Sequence, residues 1–270
     1  MEQEKKPMNI PAFGLIVIVL SVFVGWLIYH FILGAPGNFE GGSSENKPLN
    51  GNFLGIMYKG GVIVPGLIGI LIIVLTFFVE RLITLFKAKG NGSVELFIRK
   101  VRELLSNGNI DAAIAECDKQ RGSVANVIRS GLLRYSQVEK ETGLDKEAKL
   151  AAIQKSLEEA TALELPMLSK NLVIISTCAS ISTLVGLLGT VLGMIKAFAA
   201  LAQAGAPDAV GLANGISEAL INTMLGIGAA ALGIIFYNLF NNLIDSLTFG
   251  MDEAGFSIVQ TYSATHKERE

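Results

Sequence analysis

A chain of 270 residues that is 51% hydrophobic and only 17% charged, with a mean hydropathy of +0.50, carries more apolar surface than a water-soluble domain can hide, which points to the bilayer. Its net charge of −2 and the lack of a dense basic run argue against a nucleic-acid binder. Cys117 and Cys178 give no disulfide framework and read as small buried side chains, and His30 and His266 lie too far apart for a metal-ligand motif.

Residues 1–34 read as a cytoplasmic amino terminus and a first span, Phe13 to Leu33. Lys5 and Lys6 precede it, as in a signal peptide, but its apolar core exceeds the usual 7–15 residues and no A-x-A site follows. His30 falls near its outer end. Residues 35–60 form an outside loop, since GAPGNFEGGSSENKPLNGN is rich in turn formers. Residues 61–86 hold the second span, apolar from Gly61 to Phe78 and stopping at Glu80 and Arg81.

Residues 87–170 form a helical cytoplasmic domain. SVELFIRKVRELL places Val94, Phe97, Ile98, Val101, Leu104 and Leu105 on one helical face, with Ser93 as N-cap and Asn107-Gly108-Asn109 as the stop. Helices follow at 110–119 and 124–137, and a long one runs from Asp145 toward Pro166. No strand is expected. Residues 171–248 hold the third span (about Leu172–Ala202) and the fourth (about Leu212–Leu247), both longer than the roughly 20 residues a bilayer needs. A cytoplasmic helix and tail, 249–270, ends in HKERE. The fold class is thus all-α and integral to a membrane, with four spans and long helices reaching into the cytoplasmic domain. Lys and Arg concentrate between Val79 and Asn171, which puts that region and both termini inside.

GLLGTVLGM, residues 186–194, sets Gly186, Gly189 and Gly193 inside the third span. It lacks the lysine of a phosphate-binding loop. In lipid, small residues let helix backbones approach and gain dispersion contacts. Gly189 and Gly193 form a GxxxG pair; Gly226 and Ala230, with Gly228 and Gly233 nearby, repeat the theme in the fourth span. Ser176, Ser180, Thr183 and Thr190 follow one face of the third span, and the fourth carries Glu218, Asn222 and Thr223. The hydroxyls either bond back to their own helix or line a polar interior. Thr190 and Thr223 fall roughly 15–20 Å from the outer loop at a helical rise of about 1.5 Å per residue, so they can share one mid-membrane layer. Lys196 and Glu218 lie nearer that loop. Intramembrane charges pair or line a wet path, although Lys196 could instead snorkel outward.

GLLGTVLGMIKAF (186–198) and GISEALINTMLGIGAA (215–230), followed by Tyr237-Asn238, resemble the ExbB/TolQ/MotA family of membrane subunits driven by the proton gradient, with the likeness strongest to its ExbB branch. It covers about Gly61 to the C terminus. The resemblance implies a pore-lining hairpin of the third and fourth spans and a homopentameric ring in the bacterial inner membrane. It implies an ExbD/TolR-type single-span dimer inside the ring, supplying the proton-carrying aspartate, and a TonB-type protein as the energised partner. It maps the family's lining threonines onto Thr190 and Thr223 and its glutamate onto Glu218. Three departures stand out. The first span is additional, and Thr183 and Leu232 stand where the family often has proline.

Spans three and four contain no mid-depth aspartate, so a proton path through this chain alone lacks a central carrier. An ExbB-like role in TonB-dependent transport is the leading expectation, with a TolQ-like or motility role beside it. A non-conducting scaffold tolerates valine at 190 and 223, and a stand-alone transporter calls for inverted repeats that the sequence lacks. No catalytic constellation is found, so neither an enzymatic activity nor a cofactor or metal is expected.

Overall fold

The computed structural model describes residues 10–141, 143–202 and 208–265, with side chains from residue 14 onward. The expected cytoplasmic amino terminus with Lys5 and Lys6, most of the connection between the third and fourth spans, and the HKERE tail with His266 lie outside the described residues. The described chain is nearly all helical. Its helices are α1 (Ile10–Leu27), α2 (Phe53–Tyr58), α3 (Val64–Lys89), α4 (Val94–Ser106), α5 (Ile110–Gln120), α6 (Gly122–Lys140), α7 (Lys146–Ser169), α8 (Leu172–Leu201) and α9 (Ala209–Thr265). No strand occurs among the described residues; one isolated bridge joins Phe39 and Pro48. Four helical stretches are long and apolar enough to cross a membrane, so the chain is a multi-pass membrane protein.

Met1–Val79 and Leu172–Tyr237 form one compact unit; Glu80–Asn171 and Asn238–Glu270 form another. In the first unit α1 continues as a π-helical turn, Ile28–Leu33, closed by the Gly34 N–H on the Tyr29 carbonyl at 2.9 Å. Its buried positions Val17 and Ser21, with Gly25, make a narrow stripe. A Cβ on Gly25 would stand 2.6 Å from the Pro65 carbonyl and 2.8 Å from the Gly69 amide, so α1 and α3 touch backbone to backbone. The rest of α1 is bare: Leu15, Ile16, Val19, Leu20 and Phe23 are all exposed. So much exposed apolar surface is foreign to soluble proteins and normal against lipid.

The loop between α1 and α3 is ordered. Asn38 Nδ2 donates to the Ile32 and Leu33 carbonyls at 2.7 and 2.9 Å, and Asn52 Nδ2 donates to Asn38 Oδ1 at 3.0 Å. Asn52 also caps α2 by accepting from the Gly55 amide. Lys59 Nζ donates to the Ser44 and Glu45 carbonyls, and Tyr29 stacks on Tyr58 at 4.5 Å. Leu33, Val64, Ile68 and Ile221 then join this loop to α9 in one apolar cluster.

The second unit has an ordinary water-protein core. α4 buries Phe97, Ile98, Val101 and Leu105 behind its Ser93 cap. Asn109 and Asp145 cap α5 and α7. Ile128, Leu132 and Ile153 are wholly buried where α6 meets α7. α7 runs through Pro166 to Ser169, beyond the stop the proline suggests. Its last carbonyls, of Met167 and Leu168, accept from the buried Arg81 guanidinium at 3.5 and 3.3 Å. Arg81 also grips Glu80 with two nitrogens. Cys117 is buried, which pushes its thiol up to about 12; both cysteines are unpaired thiols.

Candidate functional site

The site is built by the hairpin of α8 and α9. α8 buries Ile175, Ala179, Ser182, Gly186, Gly189, Gly193 and Ala197, spaced three, four or seven apart along one face. The facing positions on α9 descend as those on α8 ascend. Ala179 meets Gly233, Gly186 meets Gly226, Gly189 meets Asn222, Gly193 meets Ala219, and Ala197 meets Gly215. A Cβ on Gly226 would stand 2.6 Å from the Ser182 carbonyl and 2.8 Å from the Gly186 Cα. The helices are in backbone contact, so only glycine fits there. Ala230 is buried on the same helix, whereas Gly228 has no neighbour within 4 Å. Gly215, Ala219 and Ser182 complete the seam and were not foreseen.

This close approach brings side chains at the seam's edge together. The Thr190 and Thr223 hydroxyls share a hydrogen bond. Each also reaches a carbonyl of its own helix, Thr190 that of Gly186 at 3.3 Å and Thr223 that of Ala219 at 3.1 Å. A hydroxyl has a single proton to donate. The pair therefore has two complementary arrangements, in which either threonine donates across the seam while the other donates along its helix. One turn or so nearer the connection between α8 and α9, Lys196 Nζ donates to Glu218 Oε1 at 2.6 Å. The lysine side chain is 56% exposed and the glutamate 12%, so an accessible lysine holds a mostly buried carboxylate. In the bilayer such pairing offsets the cost of leaving the charge alone.

Asn222 is wholly buried. Its Nδ2 donates to the Gly60 carbonyl at 2.9 Å, and its Oδ1 is a buried acceptor without a partner. It fastens α9 to the start of α3 and does not border an open face. Ser176 and Ser180 bond to carbonyls of their own helix, those of Val173 and Ser176, the local alternative weighed above. Thr183 is exposed on the same helix. Gly61, at φ +77°, lays its backbone against the Glu218 carboxylate. Among the described residues no three His, Cys, Asp or Glu side chains gather as a metal would require.

The chain is thus a multi-span helical protein with a glycine-packed hairpin, a hydroxyl pair within it and an ion pair nearer the α8–α9 connection. Residues 120–253 match the MotA/TolQ/ExbB proton channel family. It is 40% identical over 90 residues to the putative biopolymer transport protein ExbB-like 3 of Synechocystis sp., covering 33% of this chain and 43% of that protein. It is 33% identical over 118 residues to the Tol-Pal system protein TolQ of Pseudomonas aeruginosa, covering 44% and 51%. It is 25% identical over 179 residues to the biopolymer transport protein ExbB of Pseudomonas putida, covering 65% and 54%. The chain thus spans about half the length of these curated relatives.

Proposed function

We propose that the chain is an ExbB-like subunit of a proton-driven motor in a bacterial inner membrane, with both termini cytoplasmic. It assembles as a homopentameric ring around a dimer of single-span, ExbD/TolR-type partners and energises a TonB-type protein. One observation carries this reading. The seam of α8 and α9 offers hydroxyls that can relay hydrogen bonds at Thr190 and Thr223, yet no acidic side chain lies on α9 between Glu218 and Asp245. Threonine hydroxyls donate and accept but do not release a proton at ordinary pH. A partner carboxylate at that depth supplies the missing carrier. Each proton crossing then delivers about 2.3 kcal/mol per 100 mV, which turns or shifts the partner.

A TolQ-like role rests on the same hairpin and on the likeness to TolQ over 118 residues. The partner decides between them, because the seam is common to both.

The test is native mass spectrometry of the chain co-expressed with a one-span partner bearing a membrane-embedded aspartate, followed by proton flux in vesicles. The expected result is a ring holding two partners, in which Thr223→Val leaves the assembly intact and lowers flux at least about 100-fold, since general acid–base relays contribute on that order. Unchanged flux in Thr223→Val removes the hydroxyl pair from the path. A ring that excludes every such partner returns the chain to a scaffold.

A further inference from the structure

The outer end of the first unit holds a cavity of about 910 Å³, room for tens of water molecules. One wall is the first turns of α9, where Val210, Asn214, Ser217 and Glu218 follow one helical face. The other is the loop carried by the additional first span, through Glu40, Glu45, Lys47, Ile56 and Lys59. Charged and amide side chains, among them Glu40, Glu45, Lys47, Asn214 and Glu218, share the lining with apolar surface, so water in the cavity finds polar partners. The loop wall is built rather than slack. Asn38, Asn52 and Lys59 pin it by the hydrogen bonds described above, and the Leu33–Val64–Ile68–Ile221 cluster anchors its two ends to α9.

The buried carboxylate of the Lys196–Glu218 pair belongs to this lining. Glycine at 61 matters here. At φ +77° its backbone passes directly against the Glu218 carboxylate, and any side chain would occupy the carboxylate's own space. From Glu218 the hydroxyl pair is five residues further along α9, about 7–8 Å by helical rise.

Resting on the proton-driven reading, we propose that this cavity is a hydrated vestibule that delivers protons from the outer side to Glu218, and that the first span exists in this chain to hold its outer wall in place. The ligand is the hydrated proton. The mouth is mixed in sign, with Glu40 and Glu45 beside Lys47 and Lys59, so the route rests on water in the cavity rather than on a field of one sign. Lys196 holds the Glu218 carboxylate in place at the cavity wall. The chain therefore carries its own access route in cis, formed by a segment outside the hairpin.

The experiment uses the full-length chain with its one-span partner in vesicles whose outer face is exposed. Proton flux is read before and after labelling Ser217→Cys with a small cationic thiosulfonate, and in parallel with a neutral one of equal size; the parent chain receives the same reagents as control. Asn214→Cys is the second position, should the first fail to assemble. The expected result is rapid labelling from the outer side, with flux falling on the order of tenfold with the cationic adduct and distinctly less with the neutral one. Labelling that leaves flux unchanged, or a cysteine at both positions that water-soluble reagent never reaches, overturns the vestibule while the motor stands. Absence of proton flux in the unlabelled parent complex overturns the motor, and the vestibule with it.

Discussion

The α8–α9 seam and the α4–α7 core hold together by opposite means. At the seam the contact residues are Gly186, Gly193, Gly215 and Gly226, and backbone meets backbone. In the core they are Phe97, Ile128, Leu132 and Ile153, and large side chains fill the space between helices. Leucine leaving water gains about 25 cal/mol per Å² of buried apolar surface. The same leucine gains almost nothing by leaving lipid, so what remains is the density of van der Waals contact, and small residues supply it. One chain thus uses two packing rules, each suited to a different solvent, and polar groups follow the same division. At the seam they pair with one another, as Thr190 does with Thr223. In the second unit they close helix ends, as Ser93, Asn109 and Asp145 do.

The sharpest way to break this contrast is Gly226→Leu. Even one added carbon overlaps the Ser182 carbonyl and the Gly186 backbone, atoms that move only if a whole helix moves. We expect a loss of about 5 kcal/mol or more, beyond the usual range of overpacking. Size-exclusion chromatography in mild detergent should return aggregated protein in place of the folded protein. A monodisperse assembly would show that the seam has slack the geometry denies.

Arg81→Met comes next, in the second unit. It removes the guanidinium that holds Glu80 and accepts no replacement at the Met167 and Leu168 carbonyls. Glu80 keeps 27% of its side chain exposed, so the loss falls below that of a fully buried pair, at about 1–3 kcal/mol, and methionine's comparable bulk keeps cavity formation out of the measurement. A thermal midpoint within a degree or two of the parent would mean that the charge cluster contributes little.

The class of fold was legible from apolar run lengths, and the hairpin's glycines from their spacing. Register was not. Which α9 residue faces Gly193 depends on how an antiparallel pair is offset, and no periodicity encodes that, so spacing alone does not reveal Gly215 and Ala219 as its neighbours or Gly228, close in sequence to the packing pair Gly226 and Ala230, as open. Asn222 shows a second limit. Its spacing from Glu218 and Thr223 suggests a common lining, yet a hydrogen bond to Gly60, 162 residues away in sequence, draws it into the protein. Ser176 and Ser180 show a third, because a stripe of hydroxyls reads the same whether it faces an interior or bonds its own helix. The end of α7 was misjudged for a related reason. Pro166 costs its helix a single N–H bond, and Arg81, remote in sequence, takes up the carbonyls exposed at the terminus.

The smallest expected effect is the most discriminating. Gly131 in α6 also has close neighbours where a Cβ would go, but these are side-chain atoms, Cδ2 and Cγ of Leu157. A leucine tip can rotate to another staggered position for about 1 kcal/mol, and replacing a mid-helix glycine by alanine returns roughly 1 kcal/mol of helix propensity. The two offset each other, so Gly131→Ala should leave stability within about 1 kcal/mol of the parent, measured as the shift in thermal midpoint. Gly226→Ala, the same change of one methyl group, should cost more than that, because the opposing atoms are backbone. If the two alanine variants melt together, crowding by backbone and crowding by side chain are equivalent here, and the distinction between a lipid-type seam and a water-type core loses its physical basis.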